Sequence, residues 1–96
     1  MDAHVREPRA CATVAPRSDP QAALGAAVRE LRLEHKLSQE ELAHLADFHP
    51  TWISRLESGR RNPSWANVRR LCAALGIELR ELVARIDKIE RRAAKR

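Results

Sequence analysis

The most informative chemistry in this sequence lies on a short helix predicted from Pro50 to about Glu57. Helical spacing places Ile53 and Leu56 on one apolar face, so the other side chains project outward. Hydroxyl, imidazole and guanidinium groups form hydrogen bonds, and an arginine can bond O6 and N7 of guanine together. The outer face of this helix and its N-terminal end offer His49, Pro50, Thr51, Trp52 and Arg55.

Patterns typical of catalysis or metal binding are missing from the sequence. There is no nucleophile elbow, no glycine-rich phosphate loop and no metal-ligand spacing. Glu40 and Glu41 are adjacent on a predicted helix and point to different sides, so they do not form a catalytic pair. Cys11 and Cys72 make neither a disulfide framework nor a metal-ligand pair. We therefore expect a protein that is not an enzyme and that uses no cofactor and no metal.

Capping signals define the helix that precedes this one. Ser38 is a favourable N-cap residue, and Glu41 stands three positions later, which completes a capping box for a helix from Gln39 to about Ala46. Asp47 tolerates the left-handed conformation that a tight turn needs, and the histidine before Pro50 caps the next helix. The apolar positions of this first helix of the pair are Leu42, Ala43 and Leu45.

Three further helices complete the predicted fold, which is all-α with about five helices. Apolar spacing indicates helix one from Gln21 to about His35. Gly59 ends helix three, Ser64 caps helix four and Gly76 ends it. Helix five begins near Glu78. Cys72 is expected to lie in the core, Trp65 to serve in packing and not in function, and His35 and His44 to lie on the surface.

Charge and composition divide the 96 residues into three parts. Residues 1–20 are neutral overall, contain three prolines and predict a disordered leader. Residues 21–84 form the predicted domain, and residues 85–96 form a basic helical extension with a net charge of +4. The whole chain carries +5 and has a pI near 10.2, which favours a nucleic-acid partner. No apolar run reaches the length of a membrane span, so we expect a cytoplasmic protein with no membrane partner.

Two short helices joined by a tight turn are typical of a DNA-binding helix-turn-helix. From about Leu24 to Val83 the sequence resembles the lambda-repressor-like, or Cro/Xre-type, regulators of bacteria and phages. The resemblance is carried by LSQEELA from Leu37, by ISRLESG from Ile53, and by Pro63 with Ser64. It implies a sequence-specific regulator that binds double-stranded DNA.

The resemblance also implies roles for individual residues. His49, Pro50, Thr51 and Arg55 fall where family members contact base edges. The positions that correspond to contacts with phosphates or the groove wall are Gln39, Trp52, Ser54, Ser58, Arg60, Arg61 and Asn62.

Arg32 and Glu57 match a pair that forms a buried ion pair in some relatives. Three positions depart from the family pattern: Asp47 replaces the turn glycine, Lys36 replaces a glycine before Leu37, and Pro50 removes a polar side chain from a position that often reads bases. Specificity is therefore expected to depend on Thr51 and Arg55.

An apolar stripe on helix five is longer than the core needs, and its spacing suits a seam between helices. It predicts a homodimer, which would meet two half-sites about one DNA turn apart. The other interpretation is that the first part of the stripe completes the core and the rest of the helix frays. The stripe comprises Leu79, Leu82, Val83, Ile86 and Ile89.

Two other classes of function remain open at this stage. One is an interaction module with a protein partner, such as the DNA-binding antitoxin of a toxin pair. The other is the controller protein of a restriction-modification system, whose core is similar. The leading prediction is a transcriptional regulator that binds a palindromic operator as a homodimer.

Overall fold

The computed structural model describes residues 19–95. In this part of the chain there are five α-helices and no strand, which confirms the predicted all-α fold. The helices are α1 (Pro20–Glu34), α2 (Gln39–Ala46), α3 (Pro50–Glu57), α4 (Trp65–Leu75) and α5 (Leu79–Ala94).

Helix α1 begins earlier than the sequence predicted. Its first residue is Pro20, and the Asp19 side chain accepts a hydrogen bond from the Gln21 N–H at 2.9 Å. A proline in the first turn needs no N–H partner, and an aspartate N-cap satisfies one of the free donors. Asp19 and Pro20 therefore belong to the folded domain and not to the expected leader, whose residues 1–18 lie outside the described residues.

The caps of α2 and α3 follow the sequence signals. The Glu41 N–H donates to Ser38 Oγ at 2.9 Å, and the Ser38 N–H donates to Glu41 Oε1 at 2.7 Å. Asp47 ends α2 in the left-handed conformation, with φ 62°. The Thr51 N–H then donates to Nδ1 of His49 at 3.1 Å, so the imidazole caps α3 through an unprotonated nitrogen. This order of residues closes the turn in three residues.

The core lies where α1, α2, α3 and α4 meet the first half of α5. Its largest fully buried side chains are Val28, Leu42, Ile53, Leu56, Leu71 and Leu82. Cys72 is also buried, as predicted, and removal of its thiol from water raises the pKa of that thiol. Deletion of any of these side chains would leave a cavity in a small core, so each contributes to the stability of the domain.

Two predicted apolar positions do not belong to the core. Leu45 is 56% exposed, and Ala46 takes the buried position at the end of α2. Trp65, expected to pack, is 64% exposed at the start of α4, where its ring lies 5.6 Å from the Arg69 guanidinium carbon. The expectation for Trp65 was wrong because the side that a helix buries is set by its neighbours in space.

Helix α5 folds back along α1. Arg85 donates to Glu34 at 2.7 and 3.0 Å and to Glu30 at 3.2 Å, and Arg92 donates to Glu30 at 2.9 Å. The second half of α5 is thus held against the domain and is helical to Ala94. It is not a frayed end.

This packing also takes up part of the predicted dimer seam. Leu82 is fully buried within its own chain. Leu79, Ile86 and Ile89 are half-buried and pack against the same core. Of the predicted stripe, only Val83 is mainly exposed, at 52%. The stripe is long because α5 covers α1, so its length alone does not indicate a partner.

Candidate nucleic-acid interface

Helix α3 has one buried face and one polar face. Ile53 and Leu56 are fully buried, which fixes the helix against the core. Thr51, Ser54 and Arg55 are exposed on the other side. Because α2 and the turn hold the N-terminal end of α3, the exposed groups keep fixed positions relative to the domain.

The residues expected to contact base edges are distributed along α3, with His49, Pro50 and Thr51 at its N-terminal end and Arg55 in its last turn. His49, Thr51 and Arg55 are exposed, and Pro50 is half-buried in the first turn. His49 uses Nδ1 for its cap, which leaves Nε2 as the ring nitrogen available to a ligand. The structure thus exposes an imidazole, a hydroxyl and a guanidinium along the length of α3.

The loop after α3 carries the expected phosphate-contacting groups. Its first turn is held by two hydrogen bonds to the Arg55 carbonyl, from the Arg60 N–H at 2.8 Å and from Ser58 Oγ at 3.0 Å. Gly59 has φ 81°, the left-handed conformation expected there. The side chains that remain exposed along this loop are those of Ser58, Arg60, Arg61 and Asn62.

Glu57 is the centre of a buried polar network that joins three helices. Arg32 donates to both of its carboxylate oxygens, at 2.6 and 2.9 Å, and donates to the Leu37 carbonyl at 2.8 Å. The hydrogen bond to Glu57 raises the pKa of Arg32. Gln39 adds a third donor, with Nε2 3.0 Å from Oε1 of Glu57. The ion pair expected between Arg32 and Glu57 is therefore present, and the Gln39 amide is directed toward it.

Trp52 stacks within the domain instead of projecting freely from it. Its ring lies parallel to that of Phe48, with centroids 4.1 Å apart and planes inclined by 14°. The guanidinium carbon of Arg61 is 5.7 Å from the Trp52 ring centroid. Trp52 is half-buried, so only part of its ring is available to a ligand.

Arg70, on α4, completes the site in a way that the sequence did not predict. Its Nη2 donates to the carbonyls of Ala46 and Asp47, at 2.8 and 2.6 Å. Helical periodicity carries no signal for this contact, because the acceptors are backbone atoms of another helix. No local signal in the sequence indicates it, since Arg70 stands 23 residues beyond Asp47 in the chain.

Two findings concern other kinds of site. Among residues 19–95, no three His, Cys, Asp or Glu side chains lie close enough together to hold a metal ion. No helix in the same part of the chain is long and apolar enough to cross a membrane. The arrangement around α3 offers hydrogen-bond donors, acceptors and positive charge.

The fold and this site define a helix-turn-helix protein, in which α2, the turn and α3 form the motif. Residues 23–86 match the family described as "Helix-turn-helix domain". The chain belongs to this family.

Relatives of the family share most of the domain. The chain is 42% identical to the control protein C.BamHI of Bacillus amyloliquefaciens over 60 residues, 62% of this chain and 74% of that protein. It is 39% identical to the control protein C.MunI of a Mycoplasma species over 72 residues, 74% of this chain and 97% of that protein. Both are named as control proteins and neither is named as an enzyme.

A solved structure has the same fold. The restriction-modification controller protein C.AhdI of Aeromonas hydrophila superposes with a TM-score of 0.63 at 42% identity. The match covers 65% of this chain and 94% of that one. These similarities support the resemblance to Cro/Xre-type regulators that the motifs implied.

Proposed function

We propose that this protein is a transcriptional regulator that binds double-stranded DNA in a sequence-specific way, with α3 in the major groove. The burial pattern of α3 is the observation that carries this proposal. Ile53 and Leu56 anchor the helix from below, and polar groups occupy the opposite face. A helix held in this way can present side chains to base edges without moving relative to the domain. Such a regulator acts in the cytoplasm, where operator DNA is found.

In this proposal His49, Pro50, Thr51 and Arg55 contact the bases. Arg55 is the main reader, since a guanidinium can form two hydrogen bonds with guanine. Thr51 can contact a thymine methyl group or accept a hydrogen bond.

The proposed phosphate contacts come from both sides of the groove. The loop donors at Arg60 and Arg61 carry positive charge, and Ser58 and Asn62 lie beside them. Gln39 has a second N–H besides the one used by Glu57, and it stands at the N-terminus of α2, which favours an anion. Ser54 and part of the Trp52 ring are proposed to line the groove wall.

We further propose that the protein acts as a homodimer on a palindromic operator. The surface for this contact is the groove between α4 and α5, because the opposite side of α5 is covered by α1. Val83 is exposed there, beside the half-buried side chains of Ile77 and Leu79. Two domains related by a twofold axis would place their α3 helices in successive major grooves.

The names of the relatives favour one version of this function, control of a restriction-modification system. C.BamHI, C.MunI and C.AhdI are all named as control or controller proteins, and their matches cover 62%, 74% and 65% of this chain. The alternative of an antitoxin with a protein partner has no such support.

Selection from a pool of random duplexes tests the function directly. We expect enrichment of a palindrome whose affinity falls steeply between about 50 and 200 mM salt, because phosphate contacts release counterions. Weak, uniform binding to every duplex would contradict a sequence-specific regulator. A match between the selected palindrome and the DNA upstream of a neighbouring endonuclease or methyltransferase gene would favour the restriction-modification version, and a match elsewhere would argue against it.

A further inference from the structure

Arg70 is exposed on α4 but reaches back to the end of α2. Its Nη2 donates to the Ala46 carbonyl at 2.8 Å and to the Asp47 carbonyl at 2.6 Å. The last carbonyls of a helix lack partners within the helix, and the helix dipole favours a positive charge beside them. Arg70 therefore holds the end of α2 from a helix 23 residues beyond Asp47 in the chain.

The same guanidinium covers one face of the Phe48 ring, with its carbon 4.2 Å from the ring centroid. Trp52 is stacked on Phe48 at 4.1 Å. Two groups at these distances cannot share one face of a ring, so Arg70 and Trp52 lie on opposite faces of Phe48. Arg61 is the next group, near the Trp52 ring. We call these four side chains, Arg70, Phe48, Trp52 and Arg61, the aromatic column.

The aromatic column runs from α4 across the turn and α3 to the loop that follows α3. Phe48 lies in the turn, where its N–H donates to the Ala43 carbonyl at 2.8 Å. Trp52 lies in the first turn of α3, and Arg61 lies in the loop that follows α3. A shift of Arg70 would release the end of α2 and one face of Phe48 together, and the N-terminal end of α3 depends on both.

We propose that Arg70 is a positioning residue for DNA recognition: through the turn carbonyls and the aromatic column it sets the angle at which α3 leaves the turn. This rests on the proposed function, since it concerns how α3 meets the bases. Arg70 acts through other residues and itself contacts neither base nor phosphate. Its guanidinium already donates to the Ala46 and Asp47 carbonyls and lies over the Phe48 ring.

A lysine at this position would not replace the arginine. The planar guanidinium donates to two carbonyls in its own plane while its face lies on a ring, whereas an ammonium is a point charge on a flexible stem. Arg70→Lys keeps the charge and the helix propensity, so it separates the geometry of the group from its charge. Arg70→Ala removes both the guanidinium geometry and the charge. Arg29→Ala, on an exposed position of α1 with no role in the motif, is the matched control for the loss of one positive charge.

The first readout needs no DNA. Amide hydrogen exchange is measured in the full chain, with thermal unfolding to show that each variant folds. We expect faster exchange at Phe48 in Arg70→Lys and Arg70→Ala, with the amides of α1 unchanged, and wild-type exchange at Phe48 in Arg29→Ala. Wild-type exchange at Phe48 in both Arg70 variants would overturn the proposal, because the turn would then not depend on Arg70.

The second readout is discrimination between the duplex selected by the wild-type protein and a scrambled duplex. We expect both Arg70 variants to lose about tenfold in the ratio of the two affinities, comparable to the loss of one base contact. The slope of affinity against salt should stay at its wild-type value, because no phosphate contact is removed. Arg29→Ala should keep the wild-type ratio.

Three results of the binding experiment would also overturn the proposal. An unchanged ratio in both Arg70 variants would mean that the turn contact serves stability alone. A salt slope lower by about one with an unchanged ratio would identify Arg70 as a phosphate contact. If the wild-type protein itself selects no duplex, the proposed function fails and this proposal fails with it, a result that is distinct from the first two.

Discussion

Arg32 and Glu57 form a bidentate ion pair between α1 and the end of α3, with Nε 2.6 Å from Oε2 and Nη2 2.9 Å from Oε1. Their side chains are only 8% and 3% exposed. The pair is formed by residues 25 positions apart, and it joins the helix proposed to read DNA to the first helix of the domain. The Gln39 amide, on α2, shares the same carboxylate. The three helices are therefore joined at this one carboxylate.

Removal of the carboxylate charge is expected to destabilise the whole domain. Glu57→Gln leaves the Arg32 guanidinium buried without its counter-ion, so the free energy of unfolding should fall by about 3–5 kcal/mol. Replacement of both residues, by Arg32→Met with Glu57→Leu, should recover most of that loss, because no unpaired charge then stays buried. Urea unfolding of the wild-type protein, of Glu57→Gln and of the double variant measures these free energies.

The exposed ion pair of Asp87 and Arg91 provides the control. Both side chains are more than half exposed, and Asp87→Asn should change the free energy of unfolding by less than about 1 kcal/mol. If Glu57→Gln costs no more than Asp87→Asn, the buried pair does not stabilise the domain.

Local signals in the sequence predicted the helix boundaries well. Ser38 with Glu41, and Gly76 after α4, act within one turn of the backbone, and the structure contains each of them as expected. The exposure of Trp65 and the contacts of Arg70 depend on which helices meet in space. Hydrophobicity and spacing along one helix do not contain that information.

The same limit explains what the sequence predicted of the candidate site. The polar face of α3 followed from the inward positions of Ile53 and Leu56. The position of Gln39 beside Glu57 did not, because it requires the ends of α2 and α3 to lie together. Short-range periodicity predicted the surface, and tertiary packing set which of its groups already have partners.

A glycine inside α1 reverses the usual effect of an alanine substitution. Alanine normally stabilises a helix by up to about 1 kcal/mol relative to glycine. At Gly25, a Cβ atom would overlap the Leu56 carbonyl oxygen and lie 2.9 Å from the Glu57 carbonyl oxygen. Because both obstacles are backbone atoms, Gly25→Ala should destabilise the domain by about 1–3 kcal/mol.

Thermal or urea unfolding of Gly25→Ala checks this, with Gly76→Ala for comparison. No atom lies within 4 Å of a Cβ at Gly76, but its φ of 71° is left-handed. The loss there should be about 1–2 kcal/mol, from the backbone alone. A Gly25→Ala variant more stable than the wild type would show that α1 does not approach α3 so closely.

Arg55 and Arg60 should have different effects on DNA binding if their proposed roles are right. Arg55→Ala should reduce discrimination against a substituted base pair by about 1–3 kcal/mol. Arg60→Ala should weaken binding to all duplexes alike and lower the salt slope by about one. Titration of both variants against the selected duplex and single-base variants of it, over a salt series, gives both quantities. Equal losses for every sequence in both variants would assign Arg55 to the phosphates.

Acid should loosen the contact between α5 and α1. The hydrogen bonds from Arg85 hold the pKa of Glu34 below its ordinary value of 4.5. A carboxyl with a depressed pKa stabilises the fold fully above its ordinary pKa, and this contribution is lost as the pH falls through the folded value. Unfolding measured from pH 7 to below 4.5 should therefore show a loss of stability that is smaller in Glu34→Gln. An identical pH dependence in both proteins would exclude a contribution from this pair.

The proposed dimer surface can be separated from the surface that α5 uses within its own chain. Val83 and Ala84 are adjacent and exposed, but Val83 lies in the groove between α4 and α5, whereas Ala84 lies in the groove beside Leu31 of α1. Val83→Gln removes an apolar side chain from each half of the proposed contact, and burial of one such side chain contributes about 1.5–3 kcal/mol. The dissociation constant of the dimer should therefore rise at least about tenfold, since 1.4 kcal/mol corresponds to one factor of ten. Ala84→Gln adds the same amide and should leave that constant unchanged.

Sedimentation velocity over a concentration series measures the dissociation constants of both variants. Equal effects of the two variants would place the contact elsewhere on α5, and a wild-type protein that stays monomeric at all concentrations, with and without its selected duplex, would contradict the homodimer.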